Sequence, residues 1–355
     1  MKRVPTSNLP PTDVALAELD LADPRWLAFV SASTAATPFH HPAWARLLAE
    51  CYGFRAFAIA MEDRSAITAG LPVMEVKRPL GVRRWVSLPF TDHCAPLMAE
   101  TDGEQFVAAA TRHAESAGIT QIEVRAPLDG PAIHSRVEGV IHRLRLGPDP
   151  QVVRQSFHKS QVGRSINRAE RGQISLRRGT SVADLTETFY DLHVRSRRKQ
   201  GVPVQSRRLF KLLWRHMLSR GLGFVMLAYS GTTPIAGAVF LAWNGTITYK
   251  FGASNSDYLH LRPNHLILWE AIRWSCENGF HTFDFGRTDL DNRGLREFKN
   301  GWGTQEEELR YTGIGGDPEG VHTEGKLGAA LAIVIRHSPL WVTRALGEIL
   351  YPLIP

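Results

Sequence analysis

The sequence predicts an α/β protein in which one order of helices and strands occurs twice. Helix, paired strands, helix and strand follow one another in the first half, and the second half repeats that order. β-Branched and aromatic residues mark the strands, whereas glycine and proline mark the ends of the elements. No clear residue-level repeat accompanies this pattern, so we infer a duplication at the level of fold.

The first half begins after a loose leader at residues 1–12 and ends with the segment Pro127–Pro150. Its helices carry apolar residues on one face, and glycine or proline separates them from the strands. The predicted helices are Trp26–Ser33, Ala43–Tyr52 and Gly103–Ala117; the predicted strands are Arg55–Ala60, Ala66–Val76, Arg83–Leu88 and Gln121–Arg125.

The second half begins with two basic helical segments, residues 156–171 and 181–199. A helix is predicted to start after Arg262-Pro263 and to end at Gly279, and a polar loop ending near Lys299 follows the last strand. An amphipathic helix is predicted in the tail, Gly325–Pro355. The remaining predicted elements are a helix at Ser206–Arg220 and strands at Phe224–Tyr229, Ile235–Trp243, Thr246–Phe251 and His281–Gly286.

Composition excludes several classes of protein. The 355 residues are 43% hydrophobic, which is typical of a globular chain. Three scattered cysteines support neither a disulfide framework nor a zinc site, so we expect no metal or other cofactor and a cytoplasmic location. The N-terminus lacks a signal peptide, and no run reaches the roughly 20 apolar residues of a membrane span.

Common catalytic and nucleotide-binding motifs are absent from the sequence. It contains no P-loop, HExxH, GxSxG or strand–GxGxxG–helix unit. Arg310–Gly315 matches the RxxGxG pattern of acetyl-CoA binding, which should open a helix so that backbone N–H groups face the phosphates. Because Asp317-Pro318-Glu319-Gly320 follows instead, we interpret this match as accidental.

Positive charge is concentrated rather than spread. The net charge is +7, and seven Lys or Arg residues face one acid between Arg154 and Arg178. Arg164, Arg168 and Arg171 are spaced to share one helical face, with Lys159 about one turn earlier. Such a face can bind phosphates or RNA, although a solvated charged face is the common alternative.

The candidate catalytic residues lie between Thr246 and Gly303. Lys299 stands between Phe298 and Trp302, so its ammonium group can be desolvated and can stabilise an oxyanion in acyl transfer. The alternative is a structural lysine lying beside two aromatic rings. Asp284 can orient an amine or accept its proton, and Arg287 can arrange the acceptor with it. The alternative is a buried ion pair between Asp284 and Arg287.

Further polar residues are candidates for binding substrate. Tyr249, Asn264 and His265 can line the same cleft as Lys299. Asp92 and His93 form a comparable polar loop in the first half, although an isolated Asp-His pair is weak evidence for catalysis.

Four segments resemble the Fem-type (FemABX) peptidyltransferases within the GNAT-like superfamily. They are Pro38–Trp44, Phe157–Glu170, Arg262-Pro263-Asn264, and Phe283–Gly286 together with Gly294–Lys299. The resemblance implies two GNAT-like subdomains in tandem, each a mixed sheet flanked by helices. It also implies that Phe298-Lys299 are the family's Phe-Lys pair, whose lysine stabilises the charged intermediate. Phe298 and Trp302, on either side of this lysine, are further candidates for binding substrate.

With this resemblance, the chain divides into four predicted parts. Residues 1–36 form a leader and first helix, 37–150 the first subdomain, 151–316 the second subdomain with the catalytic cleft, and 317–355 an amphipathic tail.

Enzymes of this family transfer an amino acid from aminoacyl-tRNA to an amine on a peptidoglycan precursor. The resemblance implies the same kinds of partner for this chain, and we expect no binding to DNA. The long helical arm of some members has little room between Arg171 and Ser206, so donor and acceptor stay open. An acyl-CoA or acyl-carrier-protein donor and a catalytically silent RNA-binding protein are the alternatives. We expect the amphipathic tail either to dock on the body of the protein or to contact a membrane surface.

Overall fold

The computed structural model describes residues 15–77, 82–130, 133–316 and 326–351. The predicted leader at residues 1–12 lies outside the described residues, and so does the loop Asp317–Gly320. Within the described part of the chain, no helix is long and apolar enough to cross a membrane.

Twelve strands of the described chain form a single mixed sheet, and this confirms the α/β class. The strands are β1 Leu16–Leu19, β2 Arg55–Asp63, β3 Ala66–Lys77, β4 Arg83–Val86, β5 Ile122–Val124, β6 Ile133–Arg145, β7 Ile174–Arg178, β8 Gly223–Ser230, β9 Thr233–Trp243, β10 Thr246–Ser254, β11 Thr282–Thr288 and β12 Gln305–Ile314. The helices are α1 Pro24–Ala32, α2 Pro42–Tyr52, α3 Gly103–Ser116, α4 Pro150–Gln155, α5 Arg164–Arg171, α6 Tyr190–Gln200, α7 Arg207–His216, α8 Pro263–Glu277, α9 Arg293–Asn300, α10 Lys326–His337 and α11 Leu340–Leu350.

The two halves are joined through an exchange of their last strands. The strand order is β1-β2-β3-β4-β5-β12-β6-β11-β10-β9-β8-β7, so β12 lies beside β5 of the first half and β6 lies beside β11 of the second. The two exchanged strands pair with each other from Gln305–Arg143 to Ile314–Ile133, which is the whole length of β12. The repeated order is therefore confirmed, but the halves share one continuous sheet.

Each half contains one parallel strand pair, and the second pair separates early. Strands β4 and β5 are parallel, as are β10 and β11. The β10–β11 pairing runs only to Thr248 and Asp284, after which both strands contain bulges against their outer neighbours. Bulges bend a strand and redirect its side chains, so an opening forms between the two strands.

Two hydrophobic cores cover the opposite faces of the second half. Along β8, Val225 and Leu227 face the core that includes α2, α6 and α7. Phe224 and Met226 face the other core, which contains residues of α5 and α8. Successive side chains of a strand point to opposite faces, so this alternation separates the two helical layers.

Several strands were missed from the sequence, namely β1, β6, β7 and β12. In β12, consecutive Glu306, Glu307 and Glu308 disfavour a strand by propensity. Cross-strand contacts to β6 compensate, since Glu306 Oε2 lies 3.0 Å from His142 Nε2 and Arg143 pairs with Glu307. The RxxGxG match at Arg310–Gly315 falls largely on this strand, which agrees with its interpretation as accidental.

Candidate active site

A cavity of about 470 Å³ lies between the two halves of the protein. Residues from α2 and the loop after β4 form one wall, and residues from α6, β10, β11 and α9 form the other. Its charged lining residues are Asp92, Arg125, Arg197, Lys250, Arg287 and Asp289. A cleft with aromatic walls and a few converging charges is typical of a substrate site.

The loop after β4 carries Asp92 into this cavity. Leu88 and Phe90 have positive φ angles of 60° and 59°, so the backbone turns sharply at both residues. Arg125 Nη1 donates a hydrogen bond to Thr91 O at 2.7 Å, and Tyr311 Oη donates one to Asp92 O at 3.0 Å. The first bond comes from the residue after β5 and the second from β12, so both halves of the chain hold Asp92 in place.

Lys250 on β10 is a cavity residue that sequence reasoning missed. Its Nζ donates a hydrogen bond to Phe90 O at 2.8 Å and lies 3.7 Å from Asp92 Oδ1. Burial lowers the pKa of Lys250, and Asp92 partly offsets that shift. The sequence does contain a signal, because Lys250 is the one charged residue of the strand Thr246–Ser254. Lysines are rarely buried unless they are paired, so a lysine in such a strand indicates a specific partner or function.

Asp284 lies at the point where β10 and β11 separate. Its Oδ1 accepts a hydrogen bond from Gly286 N at 2.7 Å, across a bulge in which Gly286 has φ of 71°. Burial raises the pKa of Asp284 to about 6, although the nearby Arg143 favours its charged form. This carboxyl group is therefore suited to gain or lose a proton near neutral pH.

The predicted alternative for Asp284, an ion pair with Arg287, is wrong. Arg287 Nη2 lies 2.9 Å from Asp289 Oδ1, and Nη1 lies 3.8 Å from Glu138 Oε2. Arg287 follows the bulge and lines the cavity, whereas Asp284 is buried and accepts the hydrogen bond of the Gly286 amide.

Lys299 lies on helix α9, not in the polar loop expected from the sequence. Its Nζ donates hydrogen bonds to Gly286 O at 2.8 Å and Arg287 O at 3.0 Å, and its side chain is 3% exposed. Burial lowers the pKa of Lys299 to about 8, while Asp92 and Asp284 favour the charged form. The expected desolvation is therefore present, but backbone carbonyls hold the ammonium group.

The Asp92 carboxylate, from the first half of the chain, lies next to the Gly286 bulge of the second half. A Cβ atom placed on Gly286 would lie 3.0 Å from Asp92 Oδ2. The structure thus brings Asp92, Asp284, Lys250, Lys299 and Arg287 into one charged cluster at the opening between β10 and β11. The cluster supplies cations for a developing oxyanion and carboxylates for an amine.

Lys299 and Asp284 are not among the residues that line the cavity, and the predicted substrate residues other than Asp92 do not line it either. Trp302 is fully buried, and its ring contacts Phe157, Phe285, His265 and Phe298. Phe298 packs against this same core.

Tyr249, Asn264 and His93 also lie away from the cavity. Tyr249 packs on Phe240, and burial raises its pKa to about 12. Asn264 lies half-buried in the first turn of α8. Burial lowers the pKa of His93 to about 3, so this imidazole is neutral.

The predicted basic face lies on α5 and on the helical turn before it, which carries Lys159. Helix α5 packs beside α8, on the side of the sheet opposite the cavity. Lys159, Arg164, Arg168 and Arg171 are all exposed, and none of the four forms a salt bridge with another described residue. Arg154, outside this face, pairs with Glu170 at 3.2 Å.

Comparison with known proteins agrees with this architecture. A family model described as an acetyltransferase (GNAT) domain matches residues 156–300. A Lipid II:glycine glycyltransferase of Staphylococcus epidermidis is 37% identical over 76 residues. That match covers 20% of this chain and 18% of the relative's length.

Solved structures share the fold over most of the chain. The crystal structure of FemX superimposes with a TM-score of 0.69 at 14% identity, covering 83% of this chain and 96% of FemX. A tandem GNAT protein from the clavulanic acid pathway superimposes with a TM-score of 0.51 at 11% identity, covering 86% of this chain and 100% of that protein. The predicted tandem GNAT-like fold is thereby confirmed.

Proposed function

We propose that this protein transfers an aminoacyl group from tRNA to an amine of a cell-wall precursor or a related small molecule. The observation that supports it most is the buried Lys299 ammonium group at the β11 bulge, beside Asp92 and Asp284. The Staphylococcus relatives, named for transfer of glycine to lipid II, support the same reaction class.

In the proposed reaction, the acceptor nitrogen attacks the carbonyl carbon of the aminoacyl ester. The new C–N bond forms, the ester C–O bond breaks, and the ribose oxygen leaves with a proton while the amine loses one. Two N–H groups of Lys299 bind the carbonyls of Gly286 and Arg287, and in this proposal the third meets the developing oxyanion at the opening between β10 and β11. Asp284 and Arg287 arrange the acceptor; Arg287 and Asp92 line its cavity, and the Gly286 amide holds Asp284.

The donor enters, in this proposal, from the α5–α8 side of the sheet. A polyanion such as tRNA matches the exposed Lys159, Arg164, Arg168 and Arg171. An acyl-CoA or acyl-carrier-protein donor is the alternative, but its RxxGxG pattern lies on strand β12 rather than before a helix. The same fold would serve either donor.

The test supplies the protein with a labelled aminoacyl-tRNA pool and candidate amine acceptors, with and without RNase pretreatment. We expect transfer to an amine that RNase abolishes. Transfer that survives RNase, or that requires an acyl-CoA, would overturn the tRNA donor. RNA binding without product from any donor would indicate a catalytically silent protein.

Lys299→Met tests the proposed oxyanion role. Methionine keeps the length of the side chain but removes the cation, so turnover should fall by about 10²–10³-fold. Donor binding should stay near that of the wild type. Lys211→Met, at an exposed position on α7, is the control. Full activity in Lys299→Met would show that the assignment is wrong.

A further inference from the structure

The C-terminal helices carry an exposed apolar cluster around the turn that joins them. Ile333 and Val334 on α10 are 58% and 51% exposed, and Trp341 on α11 is 70% exposed. A tryptophan with so much of its surface in water is unusual in a globular protein, because aromatic side chains bury large areas on folding. Such residues are typical of helices that lie in a membrane interface.

The opposite side of these helices is docked on the protein. Arg344 Nη2 lies 2.7 Å from Asp191 Oδ1, and Arg336 Nη2 donates a hydrogen bond to Gln200 O at 3.2 Å. Gly347 packs so closely on Val204 that a Cβ atom would lie 1.9 Å from its carbonyl oxygen. The body of the protein therefore already occupies the inner side of this helix pair, and the apolar cluster is left facing outward.

The surroundings of the cluster are cationic. Arg195 and Lys199 are exposed on α6, which contacts α10 directly. Arg336 and Arg344 bond to the body of the protein, so the positive charge beside the cluster comes from Arg195 and Lys199. These two exposed cations, the cationic rim of the cluster, are complementary to anionic lipid headgroups.

The same helices reach the cavity. Tyr351 follows α11 and lines the cavity, where its hydroxyl accepts a hydrogen bond from Arg197 Nη2 at 3.1 Å and its ring lies 5.7 Å from Phe90. Trp341 and Tyr351 are ten positions apart along this helix, a distance of about 15 Å. The apolar cluster therefore lies within the length of a large headgroup from the cavity edge.

We propose that Ile333, Val334 and Trp341 insert into the interface of an anionic membrane and place the cavity next to the bilayer surface. This inference rests on the proposed function in one respect, because docking would give the enzyme access to an acceptor carried on a lipid. The docking itself depends on the exposed cluster and its cationic rim.

The experiment measures cosedimentation of the full chain with vesicles, so it does not depend on transferase activity. One set of vesicles contains phosphatidylglycerol and phosphatidylcholine, and the other contains phosphatidylcholine alone. We expect binding to the anionic vesicles, weakened at least about tenfold in the triple variant Ile333→Ser, Val334→Ser, Trp341→Ser. Val152→Ser, at a position 60% exposed on α4, is the matched control and should bind as the wild type does.

Three results would overturn the proposal. They are no sedimentation of the wild-type chain with anionic vesicles, equal binding of the triple variant, and a self-association in solution that the triple variant loses. The last would assign the cluster to a second copy of the chain. Transfer to a water-soluble amine, measured in parallel, should be unchanged in the triple variant, so failure of the membrane proposal is distinguishable from failure of the proposed reaction.

Discussion

Gly286→Ala should reduce catalysis by much more than it reduces stability. Gly286 has φ of 71°, and a Cβ atom there would lie 3.0 Å from Asp92 Oδ2 and 3.6 Å from Tyr249 O. The left-handed backbone alone costs an alanine roughly 1–2 kcal/mol in the free energy of unfolding. The close contact adds a second effect, because Asp92 must move away from the bulge.

The displacement of Asp92 affects the whole charged cluster. Asp92 lies 3.7 Å from Lys250 Nζ and helps to keep Lys299 charged, so its shift changes both cations. A misplacement approaching 1 Å at a reacting centre can cost about 100-fold in rate. We therefore expect kcat/KM for aminoacyl transfer to fall by about 10–100-fold.

Gly221→Ala separates the two effects. Gly221 has a similar φ of 75°, but no atom lies within 4 Å of the position of its Cβ. Both variants should lose a few degrees in Tm, measured by thermal denaturation, and only Gly286→Ala should lose most of its activity. Equal activity of the two variants would refute the argument that Gly286 is needed for the approach of Asp92.

Three other predictions concern pH, packing and charge. The rate of transfer should be highest between about pH 6 and pH 8, because Asp284 loses its proton above a pKa of about 6 and Lys299 loses its charge above a pKa of about 8. A rate profile that is flat through this range, or an acidic limb that is unchanged in Asp284→Asn, would contradict these roles. Trp302→Ala should cost about 3–5 kcal/mol in denaturant unfolding because its ring is fully buried, whereas Trp341→Ala should change stability by less than about 0.5 kcal/mol. The double variant Arg164→Ala, Arg168→Ala should weaken tRNA binding, measured as Kd at several salt concentrations. The slope of log affinity against log salt concentration should become shallower by about one for each lost phosphate contact, and Lys211→Ala should change neither quantity. An unchanged slope in the double variant would show that α5 does not bind the donor.

Local patterns were enough to predict most elements of the second half. The helix beginning at Pro263 and the strand ending near Gly286 were predicted within a few residues, because their glycine, proline and apolar spacing act over short distances. Strand β12 was missed, since two of its three consecutive glutamates, Glu306 and Glu307, find partners on β6, far away in the sequence. The boundaries at residues 36, 150 and 316 stay a prediction.

The candidate site was predicted in part. Lys299, Asp284, Arg287 and Asp92 meet in the structure, whereas Trp302 and Phe298 pack in a core. Lys250 was overlooked because a lone lysine in a strand has no local pattern. Its polar partners are the carbonyl of Phe90 and the carboxylate of Asp92, which lie about 160 residues away in the chain.

The sequence by itself determined the α/β class, the doubled order of elements and a lysine between aromatic residues near the end of the second half. These features depend on periodicity, turn residues and composition, which are properties of neighbours in the chain. Only the tertiary structure decided that the halves exchange strands, that Asp92 reaches the Gly286 bulge, and that the cavity lies beside the C-terminal helices. Those features depend on pairing between distant segments, and burial in that arrangement is what moves the pKa values of Lys299 and Asp284 toward neutral pH.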